Sequence, residues 1–157
     1  MRKHSVRAWI VAGAVAAGAA ALSVGPALAH HSFAMYDQTK TVTLTGVNYQ
    51  FVGQANHAEL HLYIVGPDGK LVKDKDGKNV AWGVEMAGAA AVAQQGITAA
   101  SFIPGVIFSV KVNPLRDGTN FGSRIGAIAK CPPKTPPAAG KTCDTVAGRE
   151  LLGGNAF

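Results

Sequence analysis

Across residues 58–64 the chain alternates strictly. Ala58, Leu60, Leu62 and Ile64 are apolar, while Glu59, His61 and Tyr63 between them carry polar groups. A two-residue period puts each set on its own face of an extended strand and excludes a helix over these residues. A strand that is dry on one face and wet on the other is half of an interface. The rest of the chain must therefore supply neighbouring strands and a layer to cover the dry face.

The neighbours are legible on both sides. Residues 40–51 alternate through Val42 and Leu44, then through Val47, Tyr49 and Phe51, with the phase slipping at Gly46. A slip at glycine predicts a bulge or sharp bend there. Turn tripeptides Pro67-Asp68-Gly69 and Lys75-Asp76-Gly77 lead to a third strand over 79–86. Residues 88–95, Gly-Ala-Ala-Ala-Val-Ala-Gln-Gln, suit a helix that Gly96 ends. After Pro104-Gly105 a fourth strand runs over 106–112, Asn113-Pro114 ends it, Arg116-Asp117-Gly118 turns, and 121–129 forms a fifth. Three strands, a helix and two strands is the order of an OB-like five-stranded β-barrel, so the fold class is all-β with one short helix. An open antiparallel sheet or a sandwich is the alternative. No internal repeat is present.

The first 29 residues read differently. Arg2, Lys3 and Arg7 precede an uncharged stretch over 8–24, then Pro26 and the small-residue triplet Ala27-Leu28-Ala29. Basic region, apolar region and cleavage triplet in that order predict a signal peptide over residues 1–29. The apolar region is rich in Ala and Gly and less apolar than a membrane anchor of roughly 20 residues, so no stable transmembrane anchor is expected after cleavage. There is no twin-arginine pair, and histidine rather than cysteine directly follows the triplet, which points to general secretion without a lipid anchor. The expected location is the periplasm or the exterior.

Cleavage after Ala29 leaves 128 of the 157 residues, enough for one domain with one core. The chain has 15 Lys+Arg against 9 Asp+Glu, and the leader removes three basic residues, leaving 12 against 9. With no Lys/Arg cluster, nucleic acid is not an expected partner. The organisation expected is a barrel domain over 30–130 and a proline-rich tail over 131–157. Cys131 and Cys143 enclose Pro132-Pro133-Lys134-Thr135-Pro136-Pro137. An even pair at short spacing in an exported chain predicts a disulfide closing that loop. Beyond it, residues 144–157 show no core face.

Five histidines are present, and His4 falls in the leader. Cleavage after Ala29 would make His30 the new N-terminus, with His31 beside it. A free α-amine with a first-position imidazole chelates one ion. Amine, deprotonated amide and second-position imidazole form another chelate suited to Cu(II). His57 and His61 lie roughly 13 Å apart on one strand and do not share a metal unaided. Either one joins the N-terminal pair or both are polar residues on a solvated face. The solvated face suits His61 better, and His57, at the strand start, is the better ligand. Candidate metal residues are therefore His30, His31, His57 and His61, with copper the expected ion. Met35, Met86 and Trp82 could add soft contacts, although Trp82, Val84 and Met86 share one strand face as core residues do.

The remaining signals point away from catalysis. Asp74-Lys75-Asp76-Gly77 lacks the spacing of a calcium loop and reads as a turn. There is no Gly-x-Ser-x-Gly, and with acids mostly in turns no carboxylate pair stands out.

With these residues in view, the chain resembles a family of small exported bacterial proteins catalogued as domain of unknown function 6152. The resemblance lies in His30-His31-Ser32-Phe33-Ala34-Met35-Tyr36-Asp37, Val42-Thr43-Leu44-Thr45-Gly46-Val47, Asn56-His57-Ala58 with His61, Trp82-Gly83-Val84-Glu85-Met86, Pro104-Gly105 and Asn113-Pro114-Leu115-Arg116-Asp117-Gly118. The chain departs from the family's usual residues at Gly53-Gln54-Ala55-Asn56 and at Ala87-Gly88-Ala89-Ala90. The resemblance implies an exported small β domain and no particular activity. The expectation is a periplasmic binding protein, not an enzyme, carrying or buffering copper or another transition metal. The alternative is a metal-free module that binds an envelope protein or small envelope ligand on the barrel face.

Overall fold

A computed structural model describes residues 33–53 and 56–154. The leader over 1–29 and both His30 and His31 lie outside the described residues. Six strands and one helix follow in order: β1 Val42–Val52, β2 Glu59–Ile64, β3 Ala81–Glu85, α1 Ala89–Gln94, β4 Ile107–Pro114, β5 Phe121–Lys130 and β6 Glu150–Leu152. Neighbours in the sheet run β3-β2-β1-β4-β5-β6, and a further β3–β5 pairing closes the first five into a barrel. All pairings are antiparallel except β3–β5, which is parallel and aligns Gly83 with Phe121 and Glu85 with Ser123. Closure removes the free edges of these five strands. The architecture is thus the small all-β barrel that the element order predicts, with α1 between β3 and β4.

The alternation in β2 works as its period requires. Ala58, Leu60 and Leu62 are fully buried, and they join Val84, Phe108 and Val112 in one core. Val92 of α1 and the following Ile97 belong to the same core, so the helix closes one end of the barrel. Gly96 ends α1 at a φ of 75°, a left-handed conformation that glycine adopts without strain.

In β1 the phase slip falls later than expected. The register shifts between Asn48 and Gln50, so Tyr49 is the bulged residue and Gly46 pairs normally with Ile64 and Phe108. Gly46 answers a different need: a Cβ there would come 2.7 Å from Tyr63 O and 2.9 Å from the Leu62 Cβ. Leu44, Gly46 and Asn48 are buried. After the bulge Phe51 packs against the core and stacks on Phe102 at 4.6 Å. Val47 and Phe51 therefore do not share a face. The buried polar residue hid the pattern. Asn48 is 1 % exposed, and its Nδ2 donates to Phe102 O at 2.9 Å.

One further expectation, that Met86 packs in the core, holds, and one is corrected. Met86 is 4 % exposed within the core cluster, which removes its thioether from any surface site. The chain after Lys130 is more than a surface tail. Cys131 and Cys143 are bonded, and Cys143 N donates to Ser109 Oγ at 2.8 Å. β6 then pairs with β5, setting Leu152 against Ile128 and burying it in the core. A three-residue strand is too short to display a period, which is why the sequence concealed it.

Candidate functional site

The wet face of β2 meets β3 with Glu59 opposite Glu85 and His61 opposite Gly83. The Phe121 ring lies over Gly83, where any Cβ would overlap it. Each glutamate has its own imidazole. His61 Nε2 is 3.0 Å from Glu59 Oε2, and His57 Nδ1 is 3.5 Å from Glu85 Oε1. His57 Nδ1 also lies 3.3 Å from Met86 O. Both neighbours of that nitrogen are acceptors, so in the neutral ring they favour the tautomer with its proton on Nδ1. The His57 side chain is 48 % exposed and that of Glu85 only 17 %.

Behind Glu85 stands Tyr36, 1 % exposed. Its position is fixed by backbone. Tyr36 bridges to Leu115, Asp37 N donates to Pro114 O at 2.8 Å, and Arg116 N donates to Met35 O at 3.0 Å. Arg116 Nε donates to Ala34 O at 3.1 Å. The Tyr36 hydroxyl donates to the Glu85 carboxylate. Burial foremost, then the charge and hydrogen bond of Glu85 and the charge of Glu59, push the phenol well above its ordinary range. Tyr36 is thus a neutral donor that holds Glu85 in place. Next to it, Asp37 is held down to about 2, chiefly by the Thr39 hydroxyl and then by Lys40.

On the other side of His61, Tyr49 and Tyr63 stack at 4.2 Å, and Tyr49 lies 5.8 Å from the His61 ring. Burial, then Tyr63, raises the Tyr49 phenol. His61 is therefore packed between a carboxylate and an aromatic pair, with a side chain 21 % exposed. It is less solvated than the sequence suggested. A separate open groove of about 450 Å³ runs between the end of β1 and α1, lined by Phe51, Val52, Val92 and Ile97 among others.

The structure gives His57 and His61 separate carboxylates and does not bring them into one ligand set. Among the described residues no group of three or more His, Cys, Asp or Glu side chains is placed to hold a metal ion. Sequence reading found both histidines but missed Glu59, Glu85 and Tyr36. The acids are 26 positions apart in sequence and become neighbours only through the β2–β3 register. Correct pairing of the two alternating strands would have exposed the pair.

Two of the sequence stretches singled out above meet a third at Glu85, through Tyr36 and His57, and a fourth, the Pro114-Leu115-Arg116 turn, holds the Tyr36 segment by backbone. Fold and site together define a small closed β-barrel with a His/Glu/Tyr cluster on its outer face. Residues 19–124 match a family of unknown function (DUF6152), and the chain belongs to that family. No curated protein and no solved structure matches it.

Proposed function

We propose that this chain is a small exported binding protein that holds a transition-metal ion, copper first, and serves as a carrier or buffer, not an enzyme. In this reading the signal peptide over 1–29 is cleaved in transit to the periplasm. The ion is held by His57 with His30 or His31 and the freed α-amine. The observation that carries it is the anchoring of Tyr36 beside Glu85. Tyr36, five residues after His31 in sequence, and His57 meet at the same carboxylate, Glu85. His57 suits the role, because its Nδ1 faces two acceptors while Nε2 takes part in neither contact and the side chain is 48 % exposed. An amine with imidazoles is a donor set that suits Cu(II).

Cu(II) titration of the mature, the N-terminally acetylated and the His57→Ala proteins tests this, with a chelator of known strength in competition. Affinity should fall more than tenfold on acetylation, about 1.4 kcal/mol, and measurably without His57. Equal affinity in all three would remove the metal reading. The second reading, a metal-free interaction module, rests on the half-buried Tyr49–Tyr63 stack beside His61. Protein isolated from the periplasm without bound metal would favour it.

A further inference from the structure

On the inner side of β5, away from the histidines, lies a cation with no counter-ion among the described residues. Arg124 pairs with Val112 of β4 and is 5 % exposed. Its Nη2 donates to Gln95 Oε1 at 2.6 Å, at the end of α1. Its Nε and Nη1 are buried and have no hydrogen-bond partner among the described residues. No ion pair with a carboxylate is formed among the described residues. Residues 86–110, which supply that end of the barrel, contain no Asp or Glu at all. Burial lowers the guanidinium's pKa, yet an arginine keeps its charge in a protein. A buried charge without a partner is strongly unfavourable, and native structures supply the partner.

The roof over this group is unusual in composition. Gly153, just after β6, has a φ of 65°, and a Cβ there would come 2.5 Å from Arg124 Nη1 and 2.9 Å from Gln95 Oε1. The backbone therefore lies directly on the guanidinium, and only glycine fits. A Cβ on Gly154 would meet nothing within 4 Å, so open space begins one residue further on. The strand holding this cover is three residues long and pairs with β5 alone. It lies outside the closed five-stranded barrel.

We propose that Arg124 anchors a binding site for a small oxyanion, a carboxylate or a phosphate, beneath the β6–Gly153–Gly154 strap. The anion's oxygen accepts from the unpartnered guanidinium N–H groups, and because Gly153 packs directly on the guanidinium, the β6 strap shifts to admit it. Gln95 fixes the remaining edge of the guanidinium. The site faces inward, whereas Glu85, paired with the preceding Ser123, faces outward. It is therefore independent of the metal reading.

The test is thermal unfolding of the mature protein in low-millimolar inorganic phosphate or acetate, with ionic strength held constant by sodium chloride. One of the two anions should raise Tm by about 3 °C or more, and which one does so identifies the oxyanion class. Arg124→Met should lose the rise. Gly153→Ala, which keeps the arginine but drives a methyl group against its Nη1, should lose it too. Calorimetric titration of phosphate and acetate into the wild type and Gly153→Ala proteins decides the matter should Arg124→Met not fold. No Tm rise and no binding heat with either anion, or the same rise in Arg124→Met, would overturn the proposal.

Discussion

Glu59 and Glu85 face each other directly across β2 and β3, two carboxylates on one side of an antiparallel pair. Like charges so placed repel, and three groups offset the repulsion: His61 on Glu59, His57 on Glu85 and the buried Tyr36 hydroxyl on Glu85. Two separated strands and the segment before β1 are thereby tied to one carboxylate.

Glu85 should consequently matter more as an acceptor than as a charge. Glu85→Ala leaves the Tyr36 hydroxyl buried without its partner, a loss of about 1–3 kcal/mol. Glu85→Gln keeps an acceptor oxygen and relieves the repulsion with Glu59, so its stability should stay within about 1 kcal/mol of wild type. Urea unfolding followed by tryptophan fluorescence distinguishes them. Equal losses in both variants would show that the charge, not the hydrogen bond, is what the phenol needs.

Tyr36 also sets an alkaline limit. Its folded pKa lies above its ordinary value near 10. The stability it contributes is therefore fully present below about pH 10 and is lost as pH rises beyond, at up to about 1.4 kcal/mol per pH unit. Tyr36→Phe has no such proton to lose. The difference in unfolding free energy between wild type and Tyr36→Phe, followed from about pH 9 to pH 12, should be flat at first and then fall. A constant difference across that range would mean that the phenol ionises freely in the folded protein.

Much of this barrel was readable because its strands obey simple periods. The β2 alternation marked Leu60 and Leu62 as core and Glu59 and His61 as surface, and the helix placed after β3 identified the topology. What stayed hidden depended on partners distant in sequence. Asn48 interrupts the apolar pattern of β1 because its side chain bonds to Phe102 O, which shifted the expected bulge from Tyr49 to Gly46. Leu152 belongs to a strand that exists only because β5 is beside it. Glu85 looked like one acid among few until the β2–β3 register set it opposite Glu59. Arg124 gave no signal at all, since burial of a single charge is invisible in sequence.

The disulfide should stabilise without being required for the barrel. Cys131 follows β5 immediately, and Cys143 lies against β4 through Ser109. Replacing both with Ser should cost about 2–4 kcal/mol and leave the β-sheet circular dichroism unchanged at low temperature. Loss of that signal would place the loop within the folding core.

The last prediction separates two adjacent leucines at the end of the chain. Leu151 is 56 % exposed, while Leu152 is 6 % exposed and packs with Ile128 in the main core. If β6 is an integral strand, truncating the inward residue must open a cavity in the core, whereas truncating the outward one only trims surface. Leu152→Ala should lose about 2–5 kcal/mol, and Leu151→Ala should stay within about 0.5 kcal/mol of wild type. Both variants keep the backbone hydrogen bonds of β6, so the contrast isolates burial from pairing. Similar, small losses in the two would mean that residues 150–152 only lie on the barrel, and the strap over Arg124 would lose its anchor.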